Sequence, residues 1–401
     1  MLTRSGKIVF SVMSVVLIVI ITTLFLKSTP DSSIPHLSSN VDTSTFNPSQ
    51  SMLDILNKPL REFGVDAEKI SDTVYFSPDS RYVLFQAEKT LKEDDTDKTP
   101  LIIFVDISKG VVRKIHDGAM SGVPSWSHKS AAFTSGEVYL YTFETGILDT
   151  ISPTGSHPVL SLDGSVVAYE DRGISIFSTM SRASIVLTND SLDGVGMWTD
   201  DTTLLIFKNE GTPMGEELGK KQYVAVIDSV TKNITQLQSV SRGRFFGAEL
   251  VGKYVRIIGG YDDGTTEYLV DLSKDISHTI LEKALSNEVV IDKVNSRMYI
   301  LENNFISEID TTGTPLGRVE LVDFPKVENN HHWFKVMNDR LYVGYTTGSS
   351  GQVEIGTWDT VTGQKNNTPL ETDSSAVFFS NSDLVAFLSE DQTQLVFKML
   401  K

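Results

Sequence analysis

The side chains that could do chemistry in this sequence are few and scattered. Seven histidines occur, and only His331 and His332 are adjacent. Neighbours on a regular strand point to opposite faces, so sharing one metal would require a loop there. The His-Glu-x-x-His spacing of zinc hydrolases is missing. Asp262-Asp263-Gly264-Thr265-Thr266-Glu267 has the composition of a calcium loop without its alternating acidic positions, and reads as a hairpin turn. The charged run Lys92 to Lys98 reads as a solvated loop between strands. Gly348-Ser349-Ser350-Gly351 does not have the Gly-x-Ser-x-Gly spacing of a nucleophile elbow. With no cysteine, thiolate nucleophiles, disulfides and cysteine-based zinc or iron–sulfur sites are removed together. Trp126, Trp198, Trp333 and Trp358 could stack on sugar rings, but Trp126 and Trp198 fall just before turns, where a buried aromatic is expected. Asn189, Asn233 and Asn366 begin glycosylation sequons, which carry no meaning in a bacterial chain. These residues assign no catalytic, cofactor-binding or metal site, and no cofactor is expected.

Any site would have to be positioned by a large, acidic chain. It has 401 residues, with 35 basic against 52 acidic, a net charge of −17. Such a surface excludes a nucleic-acid partner, which must neutralise phosphates, and argues against docking on anionic lipid heads. In an exported chain, stability without cysteine must come from the core alone, and the lack of cysteine points to a bacterial source.

Residues Ile8 to Leu26 contain no charge. As a helix they span about 28 Å, close to the thickness of a bilayer core. The run is longer than a signal-peptide apolar region and is followed by Lys27-Ser28-Thr29-Pro30, without a small-x-small cleavage site. It reads as an uncleaved signal anchor, with a cleaved signal as the alternative. Arg4 and Lys7 precede it, so the positive-inside bias leaves residues 1–7 in the cytoplasm and everything after 26 outside. Residues 27–50, rich in Ser, Thr, Pro and Asn, read as a flexible linker. Within 51–71, Met52, Leu53, Ile55, Leu56 and Leu60 fall at helical spacing interrupted by Pro59. They predict a short helix packed on the domain C-terminal to it, or alternatively a partner-binding helix.

From 72 to 401 no long helix is predicted, only short apolar runs between turn residues. Eight runs align: Arg81–Phe85, Lys129–Phe133, Ser165–Tyr169, Thr203–Phe207, Lys253–Ile257, Arg297–Leu301, Arg340–Gly344 and Asp383–Phe387. From Tyr82 to Leu384 the mean spacing is about 43 residues, the period of four-stranded propeller blades. A second motif shares that period, a turn led by Asp and left through Gly or a substitute, at Asp106, Asp228, Asp271, Asp310 and Asp359. It suits a hairpin between the third and fourth strands of each unit. The eighth unit ends at Met399 without a fourth strand. A closed ring cannot leave that edge open, so a segment near Val65 to Ile70 is expected to supply a closing strand.

Ser77-Pro78-Asp79-Ser80-Arg81-Tyr82-Val83-Leu84-Phe85 resembles the TolB-type, WD-like β-propeller repeat, whose core is a Ser-Pro-Asp-Gly turn before an apolar strand. Ser161-Leu162-Asp163-Gly164-Ser165-Val166-Val167-Ala168-Tyr169 is similar, with Leu162 in place of Pro. The resemblance covers most of 72–401 and is faintest in the fifth to seventh units. It implies a scaffold that binds proteins or, in dipeptidyl-peptidase-type enzymes, gates a separate catalytic domain.

The expectation is therefore an all-β propeller of eight blades, or seven if the sixth unit (about Glu288 to Asp323) is not a true blade, preceded by one transmembrane helix. It is placed at the cell membrane, single-pass, with the propeller extracytoplasmic. Its partners are the membrane, through the N-terminal helix, and a protein; a cell-envelope polymer is the lesser expectation. A hydrolase or lyase with a site in the central channel, and a purely structural envelope protein, are the alternatives; the balance is against an enzyme.

Overall fold

The computed structural model describes residues 46–399 apart from 91–97, 211–221, 262–263, 285–287, 293–296, 326–330, 338, 348–351, 371–376, 381–383 and 390. The anchor expected over 8–26, most of the linker, and the loops at Lys92, Asp262 and Gly348 lie outside the described residues. Among the described residues no helix is long and apolar enough to cross a membrane.

The described strands form eight antiparallel sheets in chain order, seven four-stranded and one three-stranded. The second strand of every sheet begins within one of the eight aligned runs, from Tyr82–Thr90 in the first to Leu384–Leu388 in the last. These strands are apolar on both sides because neighbouring sheets pack face to face. Tyr82, Leu84, Ile102 and Phe104 of the first sheet share a core with Phe133, Tyr141 and Phe143 of the second. Ala132, Val138 and Leu140 then meet Val167, Tyr169 and Phe177, and Ile174 and Ile176 meet Trp198, Leu204 and Ile206. Phe207 stacks on Phe245 at 5.5 Å, carrying the contact into the fifth sheet. Leu384, Ala386, Leu388, Leu395 and Phe397 of the last sheet pack with Val83, Phe85, Ile103 and Val105 of the first. The first and last sheets thereby meet, as in a propeller. First strands of successive sheets touch one another, at the second and third, third and fourth, fourth and fifth, sixth and seventh, and last and first. They are the innermost strands.

The turn motifs behave as their chemistry requires. In the opening turn the Ser77 hydroxyl donates to Asp79 Oδ1 at 2.6 Å and accepts from the Tyr82 N–H at 2.9 Å. Asp79 Oδ1 also accepts from the Arg81 N–H at 3.2 Å, and Ser80 takes φ +62°. Ser161, Asp163 and Gly164 (φ +75°) repeat this geometry. So do Ser389, Asp391 and Gln392 (φ +57°), in the hairpin between the last two strands. At the third-to-fourth strand turns, Asp228 accepts from the Val230 and Thr231 N–H groups, and Asp359 from those of Val361 and Thr362. Gly110, Gly313 and Gly363 leave such turns with positive φ. Lys232 and Asp275 do the same job with a side chain.

The ring's closure differs from the expected fourth strand. Lys69–Phe76 is the first strand of the first sheet, not the last strand of the eighth. The edge of the eighth sheet's third strand, Leu395–Met399, is met instead by a helix, α1 (Gln50–Leu56), and the residue after it. Leu53 and Leu56 enter the core between the last and first sheets. The Asn57 amide donates to the Phe397 carbonyl at 3.0 Å and accepts from the Phe397 N–H at 2.7 Å. Leu60 and Val65 are buried nearby, and the Ile70 N–H donates to the Gln392 carbonyl at 2.7 Å. The helical spacing of Leu53, Leu56 and Leu60 thus serves packing on the ring. Pro59 ends α1 and leads into a single 3₁₀ turn, Leu60–Phe63.

Candidate functional site

Six of the innermost strands, among those described, carry a β-bulge or register irregularity. An extra residue breaks the alternation of side chains and re-aims them. In the third sheet the inner strand is Ser156–Leu160 and the irregularity covers His157 and Pro158. His157 has φ +47°, a left-handed conformation uncommon for any residue with a Cβ. It turns the imidazole onto Glu170, at the end of the adjacent strand Val166–Glu170, with Nδ1 2.8 Å from Oε2.

Glu170 is held from a second side. Its Oε1 accepts from the Val195 N–H, 3.0 Å away, in the inner strand of the fourth sheet, Gly194–Trp198. One carboxylate therefore joins two neighbouring sheets and orients a histidine. The hydrogen bond to Glu170 holds the imidazole's pKa above the ordinary histidine value, against the opposing pull of partial burial. The side chain is 70% exposed, and no described residue bonds to Nε2. An imidazole oriented by a carboxylate, with its second nitrogen open, is suited to proton transfer or hydrogen-bond donation.

The same rim carries further polar groups. Asp193 is buried, takes the Asn209 N–H at 2.9 Å and pairs with the Lys208 ammonium. Asp190 accepts from the Asn209 amide at 3.1 Å. Asp171 accepts from the Thr154 hydroxyl at 3.1 Å. His116 differs from His157: its ring lies 4.4 Å from that of Tyr139, and burial lowers its pKa. Away from the rim, Arg256 is buried in the fifth sheet. Its Nε and Nη2 donate to Glu267 at 2.6 and 2.7 Å, and its Nη1 to Glu249 at 2.6 Å. Burial opposes the guanidinium charge, but the two carboxylates outweigh it and raise its pKa.

Among the described residues, those singled out in the sequence are not brought together. Trp198 and Trp358 are core: the Trp198 indole N–H donates to the Val159 carbonyl at 2.9 Å and that of Trp358 to the Val322 carbonyl at 2.8 Å. Each indole thereby pins its sheet to the preceding one. Trp126 is half-buried, 6.2 Å from the Phe143 ring. Glu267 of the acidic run is a strand residue committed to Arg256. His331 pairs with Tyr345 and Trp333 with Gly344, so His332 is the extra residue of a bulge. The alternation assumed from sequence fails at that point. Among the described residues no group of three or more His, Asp or Glu is placed to hold a metal. The sequence reading missed His157 and Glu170. Its available signal was a His-Pro step at the start of an inner strand.

No protein-family model matches the sequence, and no curated protein matches it. Among solved structures, dipeptidyl peptidase 4 of Porphyromonas gingivalis is similar at 12% identity and a TM-score of 0.50, over 89% of this chain and 62% of that one. The Dos1 propeller is similar at 12% identity and a TM-score of 0.50, over 80% of this chain and 90% of that one. A eukaryotic initiation factor is similar at 13% identity and a TM-score of 0.50, over 82% and 88%. This chain spans less than two thirds of the peptidase's length. At these identities the likeness is one of fold: the chain is a β-propeller of the kind found in peptidase propeller domains.

Proposed function

We propose that this protein is a membrane-tethered, extracytoplasmic propeller of eight blades that holds a protein partner on its outer edge. The observation that carries the reading is the outer strand of the third sheet, Ala183–Val186, exposed at every residue and including Ile185 and Val186. Met180, in the preceding turn, is 88% exposed. The Lys232 ammonium donates to the Val186 carbonyl at 3.1 Å, which draws the turn bearing Val230, 76% exposed, alongside. Grouped apolar side chains on an edge strand favour association with another chain. The uncharged run Ile8 to Leu26 supports the tether.

A photo-crosslinker placed at Ile185 in intact membranes tests this, with Val361 on the seventh sheet as the control position. A discrete protein adduct from Ile185 alone, lost on Val186→Lys, is the expected result. No adduct, or the same adduct from both positions, would overturn it. A C-terminal reporter active only in the cytoplasm would overturn the extracytoplasmic placement.

The second reading is a channel enzyme, favoured by the His157–Glu170 pair at the start of an inner strand. It predicts product from envelope oligosaccharides with wild-type protein and none with His157→Ala.

A further inference from the structure

Three junctions between neighbouring sheets are closed by the same device, a side-chain oxygen that receives an N–H from the next inner strand or the residue leading into it. Gln86 Oε1 takes the Met120 N–H at 3.0 Å, Glu170 Oε1 takes that of Val195 at 3.0 Å, and Gln222 Oε1 takes that of Phe245 at 3.1 Å. A glutamine suffices for this task and does not titrate. The junction between the third and fourth sheets uses a carboxylate instead, and its second oxygen is taken by His157. We propose that this junction is a pH-responsive joint: protonated His157 fixes Glu170 against Val195, and its deprotonation loosens the fourth sheet's inner strand, while the two glutamine junctions stay indifferent to pH.

The geometry supplies both halves of the device. The left-handed backbone at His157 has no packing purpose evident in its exposed ring, and it delivers Nδ1 to Glu170. Protonation turns a hydrogen bond between a neutral imidazole and a carboxylate into an ion pair, adding Coulomb attraction to the contact that already exists.

The other charged groups near this joint are largely committed to their own partners. Asp171 follows Glu170 and accepts from Thr154, Asp193 beside the fourth sheet's inner strand is paired with Lys208, and Glu137 of the second sheet accepts from the Tyr139 hydroxyl. Asp190 accepts from the Asn209 amide, and Arg172 lies exposed at the hairpin tip two residues beyond Glu170. The raised pKa of His157 agrees with Glu170 dominating. Stability contributed by the pair is therefore complete below the free imidazole value and is lost as pH rises through the higher folded-state value.

Amide hydrogen exchange of the full chain between pH 5.5 and 8.5, corrected for intrinsic exchange rates, tests the joint directly. Protection of the Val195 N–H is expected to fall several-fold as pH rises, with Met120 and Phe245 flat. Glu170→Gln keeps the acceptor for Val195 and is expected to make its protection pH-independent, as is His157→Gln. Parallel behaviour of all three amides in the wild type, or an undiminished pH response at Val195 in His157→Gln, would overturn the proposal.

Discussion

Asn57 and Phe397, 340 residues apart, face each other as two strands would: the side-chain amide of one returns both backbone hydrogen bonds of the other. An asparagine amide has the same donor and acceptor as a peptide unit, so one side chain can cap one position of a sheet edge. The rest of that edge is covered by the apolar face of α1.

Asn57→Ala removes both partners of Phe397 at once. Leaving a partly buried N–H and C=O unmatched costs about 1–3 kcal/mol. Because the contact closes the ring, the whole domain is expected to melt several degrees lower in a single transition by calorimetry. An unchanged melting temperature would mean that α1 packing alone closes the ring.

Trp198→Phe and Trp358→Phe preserve most of the buried ring and delete only the indole donor. Each strands a carbonyl, at Val159 of the preceding sheet or at Val322 in the loop leaving it, and is expected to cost roughly 1–3 kcal/mol in urea unfolding. Trp198→Ala adds the loss of packing and is expected to reach about 3–5 kcal/mol. A Phe variant as unstable as the Ala variant would count against the hydrogen bond as the separable part.

Arg256→Met leaves Glu267 buried without its cation and is expected to destabilise by about 3–5 kcal/mol at neutral pH. Combining it with Glu267→Met restores an apolar face and recovers most of the loss, read as the urea midpoint. A double variant no better than the single one would show that the charge pair is not the source of the penalty.

The turn carboxylates set an acid limit. Burial pushes Asp163 up, but the Ser165 N–H and Ser161 hydroxyl hold it below the ordinary value. The Thr362 N–H is the main cause of the same shift at Asp359, and the Ser389 hydroxyl at Asp391. Depressed folded-state values mean that the stability is complete above the free value of about 3.9 and is lost as pH falls through the lower ones. Melting temperature against pH is expected to drop in acid, and the drop to shrink in Asp163→Asn and Asp359→Asn. A slope identical to wild type in both variants would discount these turns.

The period, the second strands and the aspartate-led turns were legible because each follows from local chemistry. A strand apolar on both faces and an Asp bonded to N–H groups two and three residues on leave marks in adjacent letters. The inner strands did not read as well, because one extra residue, as at His157 or His332, shifts every later side chain without changing composition. The Ser389–Asp391 turn was missed as a relative of Ser77–Asp79 because it lies on a different hairpin of its sheet. Asn57 carried no signal at all: its partner is at the other end of the chain, and an asparagine after a short helix is ordinary capping chemistry. Glu170 escaped for a related reason, since its meaning depends on Val195 of the next sheet and on a backbone twist at His157.

The Asn57–Phe397 closure also imposes an order in time. The arm that completes the ring is among the first parts of the domain to leave the ribosome, and the strand it must meet is the last. At roughly 5–20 residues per second, the intervening chain takes about twenty to seventy seconds to be made. For that interval Leu53, Leu56 and the apolar face of the first sheet have one another but lack their neighbours in the last sheet. Until Phe397 is made, the nascent domain is an open arc whose leading edge exposes the apolar surface that the last sheet will cover.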